Sequence, residues 1–125
     1  MLTHSSFSLW LEQYGAASRE NDPRLSAELF TPDAAYYETP FSEPILGEDA
    51  IYQYWLQGAQ NLVEKSAEYE ILAIQGNMGI ARWRSQFTSL KSGTRFHLDC
   101  VFVTRFAAPG KCQEFREWWH IQERI

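Results

Sequence analysis

The sequence predicts an α+β domain in which a bent antiparallel sheet wraps around N-terminal helices, and three observations carry that prediction. Apolar residues recur at helical spacing through the first half of the chain. Four long strand-like segments separated by tight-turn residues fill the second half. Aromatic side chains make up 15% of the 125 residues, which suits a curved sheet closing over helices. A chain of this length is expected to form one domain, residues 1–125, burying roughly two thirds of its unfolded surface without disulfides or metals.

The first helix is expected from Phe7 to Arg19, because Phe7, Trp10, Leu11, Tyr14 and Ala17 share one face and Ser6 can cap it. Asp22-Pro23 starts a short second helix carrying Leu25, Ala27, Leu29 and Phe30. That helix stops before Thr31-Pro32, since the residue ahead of proline is pushed out of the helical region. A strand from Ala34 to Thr39 follows, then Pro40 and a loop through Gly47. The third helix, roughly Glu48 to Gln60, places Ile51, Tyr54, Trp55 and Leu56 on its apolar side, with Glu48 and Asp49 favourable at its start. Strands are then expected over Ser66–Ile74, Gly79–Ser89, Thr94–Phe106 and Cys112–Glu123, broken at Gly76-Asn77, Ser92-Gly93 and Pro109-Gly110.

Directly opposed residues lie on the same side of a sheet, so two hairpins assign the faces. A two-residue turn at Ser92-Gly93 pairs Phe87 with Leu98, Ser85 with Cys100 and Trp83 with Phe102. A four-residue loop from Ala107 to Gly110 pairs Cys100 with Glu117 and Leu98 with Trp119. One face then carries Trp83, Ser85, Phe87, Leu98, Cys100 and Phe102, continued on the last strand by Phe115, Glu117 and Trp119. The other mixes Arg82, Arg84, Asp99 and Arg116 with Val101, Val103 and Trp118. The first is the concave, helix-covered side. The second has an apolar strip inside a charged rim, the pattern of a partner surface, and is expected to form a homodimer through Val101, Val103 and Trp118.

Glu117 is the one charged member of the concave face. A buried, unpaired carboxylate costs several kcal/mol, so this acid is either solvated or held in a pocket where its pKa rises and its proton becomes useful. The pocket is the expectation: Glu117 facing an aromatic wall of Tyr14, Trp55, Trp83, Phe87, Phe102, Phe115 and Trp119, with Ser85, Leu98 and Cys100 also contacting the ligand, suited to an apolar molecule. Glu117 would then serve as general acid or base and Tyr14 as hydrogen-bond donor to a developing oxyanion. Glu38 is a second candidate, near enough to share a proton with Glu117 if the strand points Tyr36 and Glu38 inward, and an ordinary surface acid if it points Tyr37 and Thr39 inward.

The bulk numbers exclude several classes. A net charge of −5 and a pI near 5.1, with no basic stripe, argue against nucleic acid. No apolar run reaches the roughly 18 residues of a membrane span and Met1–Ser6 lacks a signal-peptide pattern, so a cytoplasmic protein is expected. Cys100 and Cys112 fall too far apart in the register for a disulfide, and His4, His97 and His120 stand singly. Without a metal cluster, a nucleotide-binding loop or a nucleophile elbow, no metal and no organic cofactor are expected.

The order of elements, together with the segments Tyr14 to Asp22, Leu29-Phe30-Thr31-Pro32-Asp33-Ala34, Glu38-Thr39-Pro40, Gly47 to Trp55 and Gly110 to His120, resembles the nuclear-transport-factor-2-like superfamily over nearly the whole chain. Within it, the chain is most similar to bacterial SnoaL-like members. The resemblance implies a cone-shaped, cystatin-like fold with a mixed sheet. It implies no single activity, since the superfamily hosts isomerases, cyclases, epoxide hydrolases, dehydratases, carriers and interaction domains. The oxyanion tyrosine of ketosteroid isomerases corresponds to Tyr14, whereas their base and second acid fall at Thr39 and Phe102. The C-terminal acid of limonene-type epoxide hydrolases corresponds to Glu117. Their other two residues fall at Trp83 and Ser85, or at Arg82 and Arg84 after a one-residue slip. The readings are therefore a cofactor-free isomerase, cyclase or hydrolase, a non-catalytic binder of an apolar ligand, or a dimeric interaction module.

Overall fold

The computed structural model describes residues 1–108 and 110–124, so the Pro109 part of the expected Pro109-Gly110 turn lies outside the described residues. The elements run α1 (His4–Arg19), α2 (Pro23–Glu28), β1 (Phe30–Tyr37), β2 (Ile45–Leu46), α3 (Glu48–Asn61), β3 (Leu62–Gln75), β4 (Met78–Ser89), β5 (Arg95–Ala108) and β6 (Lys111–Arg124). They form one six-stranded sheet in the order β2-β1-β6-β5-β4-β3, with β1 parallel to β6 and every other pair antiparallel. This is the expected α+β architecture with a mixed sheet.

Local chemistry explains where the boundaries differ from expectation. Helix α1 starts three residues early because Thr3, not Ser6, is its cap. Thr3 Oγ1 accepts from the Ser6 N–H and Ser6 Oγ accepts from the Thr3 N–H, each at 3.0 Å. This reciprocal box satisfies two N–H groups where Ser6 alone would satisfy one. Strand β1 begins at Phe30 rather than Ala34, and the short β2 was not anticipated. Pro32 does not precede the strand but sits within it, where the β1–β6 register is irregular between Phe30 and Ala35. A residue with no N–H is tolerated at such an interruption.

The hairpin registers are each displaced by two residues from the expected pairing. Four residues, Leu90 to Gly93, separate the Ser89–Thr94 closing bond, so Trp83 pairs with Cys100 and Ser85 with Leu98. At the next hairpin Ala108 pairs with Lys111, and Glu117 opposes Phe102 while Cys100 opposes Trp119. A slip of two keeps every side chain on its face, so the inward row survives a wrong partner list. Cys100 and Cys112 are both free thiols.

Helix α1 supplies Phe7, Trp10, Leu11 and Tyr14 to the core. The Trp10 indole N–H donates to the Leu29 carbonyl at 3.0 Å, tying α1 to the end of α2. At Gly79 the sheet comes so close to α1 that an added Cβ would stand 2.6 Å from the Phe7 ring. Near Phe7, Trp10 and Phe106 the rings pack edge to face at 5.4 to 5.9 Å. Toward the C-terminal end of α1 that packing gives way to a cavity. No helix among the described residues is long and apolar enough to cross a membrane.

Candidate active site

The cavity, of about 400 Å³, opens between the C-terminal half of α1, α3 and the concave faces of β3, β4 and β5. Its position follows from residue size: Tyr14 lines it, while Gly15 next to it and Ser18 one turn on fill little space between α1 and the sheet. A Cβ at Gly15 would lie 3.1 Å from the Trp83 ring, so glycine lets α1 approach that wall.

Glu117 forms the floor. Its residue is 9% exposed, and it lies on β6 beside Tyr36 of β1 because the parallel register pairs Tyr36 with Phe115. The Tyr36 hydroxyl donates to Glu117 Oε1 across a long 3.5 Å, and the Tyr14 hydroxyl stands 3.3 Å from that of Tyr36. Three groups from β6, β1 and α1 thus form a chain that ends in a carboxyl. Tyr36 is held flat against Phe115, with centroids 4.6 Å apart and planes 11° apart.

The electrostatics follow from dryness. Burial, reinforced by the charge of Glu38 and opposed by the Tyr36 hydrogen bond, raises the Glu117 pKa to about 8. At neutral pH this carboxyl is mostly protonated. Burial first, then the Glu117 charge, pushes the Tyr14, Tyr36 and Tyr54 hydroxyls well above the usual phenol range. These phenols keep their protons and act as donors. Burial also raises the Cys100 thiol, so it is no thiolate nucleophile.

Of the residues singled out in the sequence, Tyr14, Trp55, Trp83, Ser85, Phe87, Leu98, Cys100, Phe102 and Glu117 all line the cavity. Three do not. Phe115 is 0% exposed and packed between the Tyr36 and Phe102 rings at 4.6 and 4.7 Å, so it supports the floor from beneath. Trp119 is 38% exposed, and its indole N–H donates to the Glu38 carbonyl at 3.0 Å, outside the lining. Glu38 follows the end of β1, half-buried; Tyr36 does point inward, but Glu38 reaches Glu117 by charge and not by a shared proton. Residues missed in the sequence are Tyr36 and Tyr54 near the acid, and Arg19 and Lys65 farther out. The alternation Ala34, Tyr36 on β1 and the position of Tyr54, three residues after Ile51 on α3, were the available signals.

One polar atom in the wall is unsatisfied. The Trp55 indole N–H is buried without a hydrogen-bond partner among the described residues, with its ring edge-on to Tyr14 at 5.4 Å. On the outer face of the sheet Trp118 is 47% exposed beside the half-buried Val101, its pairing neighbour, and Val103. Arg82 grips Asp99 there through two hydrogen bonds of 3.0 and 2.6 Å. Among the described residues no cluster of His, Cys, Asp and Glu could hold a metal ion.

The model of a family described as SnoaL-like domain matches residues 11–115. No curated protein matches the chain. Among solved structures, the epoxide hydrolase/cyclase-like enzyme SalBIII, which has a role in pyran ring formation in the polyether salinomycin, superposes with a TM-score of 0.85. It is 20% identical, over 99% of this chain and 100% of that one. A candidate isomerase from Bacillus subtilis gives 0.81 at 20% identity, over 96% and 90% of the two chains. A hypothetical protein with a ketosteroid isomerase-like fold from Catenulispora acidiphila DSM 44928, in complex with trimethylamine, gives 0.76 at 12% identity, over 87% and 83%. At these identities the likeness establishes the fold.

Proposed function

Because the chain belongs to the SnoaL-like domain family, we propose that it is a cofactor-free isomerase or cyclase of small apolar molecules, with Glu117 as the proton-transfer group. The single observation that carries this reading is a buried carboxyl beside tyrosine hydroxyls on the floor of an aromatic cavity, where burial raises its pKa. Such a group gives its proton to an oxygen that becomes a leaving or enolic oxygen, and takes one back as carboxylate. Tyr14 and Tyr36, which stay protonated, supply hydrogen bonds to negative charge developing on that oxygen. Glu38 tunes the acid through its charge. Trp55, Trp83, Phe87 and Phe102 would hold the apolar body of the substrate.

The direct test uses cyclohex-3-enone, a small apolar ketone whose conversion to the conjugated isomer needs one proton removed and one returned. Conversion accelerated by the protein, followed by the absorbance of the conjugated product, supports the reading. Binding of the enone, seen by quenching of tryptophan fluorescence, without any conversion favours the alternative, a non-catalytic binder of an apolar ligand. That alternative rests on Glu38 lying outside the lining, which leaves Glu117 as the only carboxylate there among the described residues. A pure interaction module is disfavoured by the unfilled 400 Å³.

We also read the outer face of the sheet as a homodimer surface centred on Trp118, flanked by Val101 and Val103 and by charged pairs such as Arg82–Asp99. Trp118→Glu is expected to convert a dimer to a monomer in size-exclusion chromatography with light scattering. A variant of unchanged mass, or a wild-type protein that is already monomeric, removes that assignment.

A further inference from the structure

The mouth of the cavity differs in charge from the rest of the protein. The chain carries a net −5, yet the charged side chains in the lining besides Glu117 are Arg19 and Lys65, both cationic. Neither forms an ion pair or side-chain hydrogen bond among the described residues, whereas Arg82, Arg84 and Arg116 all face carboxylates. Burial alone lowers the Lys65 pKa, with no carboxylate acting on it. A half-buried ammonium without a counter-charge is costly, and nothing in the packing of β3 requires one.

The backbone is bent beside Lys65. Val63 pairs with Thr88 but Ser66 with Gln86, so β3 spends one extra residue at this point. Glu64 takes a left-handed φ of +53°, an unfavoured conformation for a side-chain-bearing residue. Arg95 braces the bulge by donating to the Glu64 carbonyl at 2.6 Å and to Thr88 Oγ1 at 3.1 Å. A bulge shifts which residues point inward. Lys65 shares a face with Ala67 and Tyr69, the row of β3 that packs toward the core, and the bulge ahead of it brings Leu62 into the same lining. Arg19, at the last turn of α1, faces the same opening from the other wall.

We propose that the cavity takes amphipathic anions: an apolar ring-bearing body lies against the aromatic wall and a single anionic head, such as a carboxylate, is held at the mouth by Lys65 and Arg19. This rests on the cavity being a ligand site, as read above, and adds the class of ligand. The floor favours the same orientation, because protonated Glu117 beside tyrosine hydroxyls is neutral and polar while both fixed charges sit at the entrance. Lys65, the more buried of the two, carries most of the discrimination, since an exposed guanidinium is screened by water and salt.

Two fluorescent probes separate the claims: 1-anilinonaphthalene-8-sulfonate, and N-phenyl-1-naphthylamine, which has the same rings without the anion. For Lys65→Met, which keeps an apolar stem, the sulfonate probe should bind roughly 10-fold more weakly, as expected for a lost charged hydrogen bond. The neutral probe should bind within twofold of wild type, which also reports that the cavity is intact. Arg19→Gln should show the same selectivity with a smaller effect. If Lys65→Met weakens both probes equally or neither, the anion site is wrong. The cavity reading survives that result when both probes bind wild type and Trp83→Ala weakens both. If neither probe binds wild type, the anion site and the cavity reading fail together.

Discussion

Glu117→Gln is expected to lower conversion of cyclohex-3-enone by a factor of about 10² to 10⁴, the usual contribution of a positioned acid or base. Glutamine matches the shape of glutamate and can still accept from the Tyr36 hydroxyl, so the hydrogen-bonded chain through Tyr14 is kept. What it lacks is a transferable proton. The apolar wall is untouched, so the change should appear in kcat with KM little altered. A variant retaining wild-type kcat would make Glu117 a bystander and leave the tyrosines to account for any catalysis.

The same substitution should change stability in the opposite direction above neutral pH. Glu117 titrates near an ordinary 4.5 when unfolded and at about 8 when folded. Its folded pKa is raised, so the native state binds the extra proton between those values. Native stability is therefore greatest below about pH 4.5 as far as this group is concerned, falls as pH rises to about 8, and levels off beyond it. The full fall is on the order of 5 kcal/mol. The groups around the carboxyl do not offset it: Tyr14 on α1, Tyr36 on β1, Tyr54 on α3 and Cys100 on β5 are held neutral, and Glu38 adds like charge. Denaturant unfolding at pH 6 and pH 9 should show wild type weakening relative to Glu117→Gln, with the variant the more stable protein at pH 9. Parallel pH profiles for the two proteins would mean that Glu117 is solvated.

The fold was legible because its signals are periodic and redundant. Phe7, Trp10, Leu11 and Tyr14 mark the inner face of α1, and the strand alternation from Trp83 to Phe87 and from Leu98 to Phe102 survives a two-residue error in both hairpins. Nine of the twelve proposed site residues line the cavity for that reason, counted as the three catalytic and nine ligand-contacting candidates less Phe115, Trp119 and Glu38. Those three failed where alternation alone is insufficient. Phe115 is inward but covered by Tyr36, and Trp119 pairs with the cavity-lining Cys100 but turns its indole to the Glu38 carbonyl. Glu38 lies just past β1, where strand phase no longer directs a side chain. Lys65 was missed because the strand was expected to start at Ser66, whereas β3 runs from Leu62 through a bulge that no turn residue announces: its left-handed position is Glu64 rather than a glycine.

The central claim is that a carboxyl kept dry among rings holds its proton at neutral pH. Carbon NMR of protein labelled at the glutamate carboxyl carbon measures this directly, with the Glu117 signal assigned by its absence from Glu117→Gln. Titration of that signal near pH 8 is the predicted result. A midpoint near the ordinary 4.5 would place the carboxylate in water and remove both the proposed chemistry and the alkaline loss of stability.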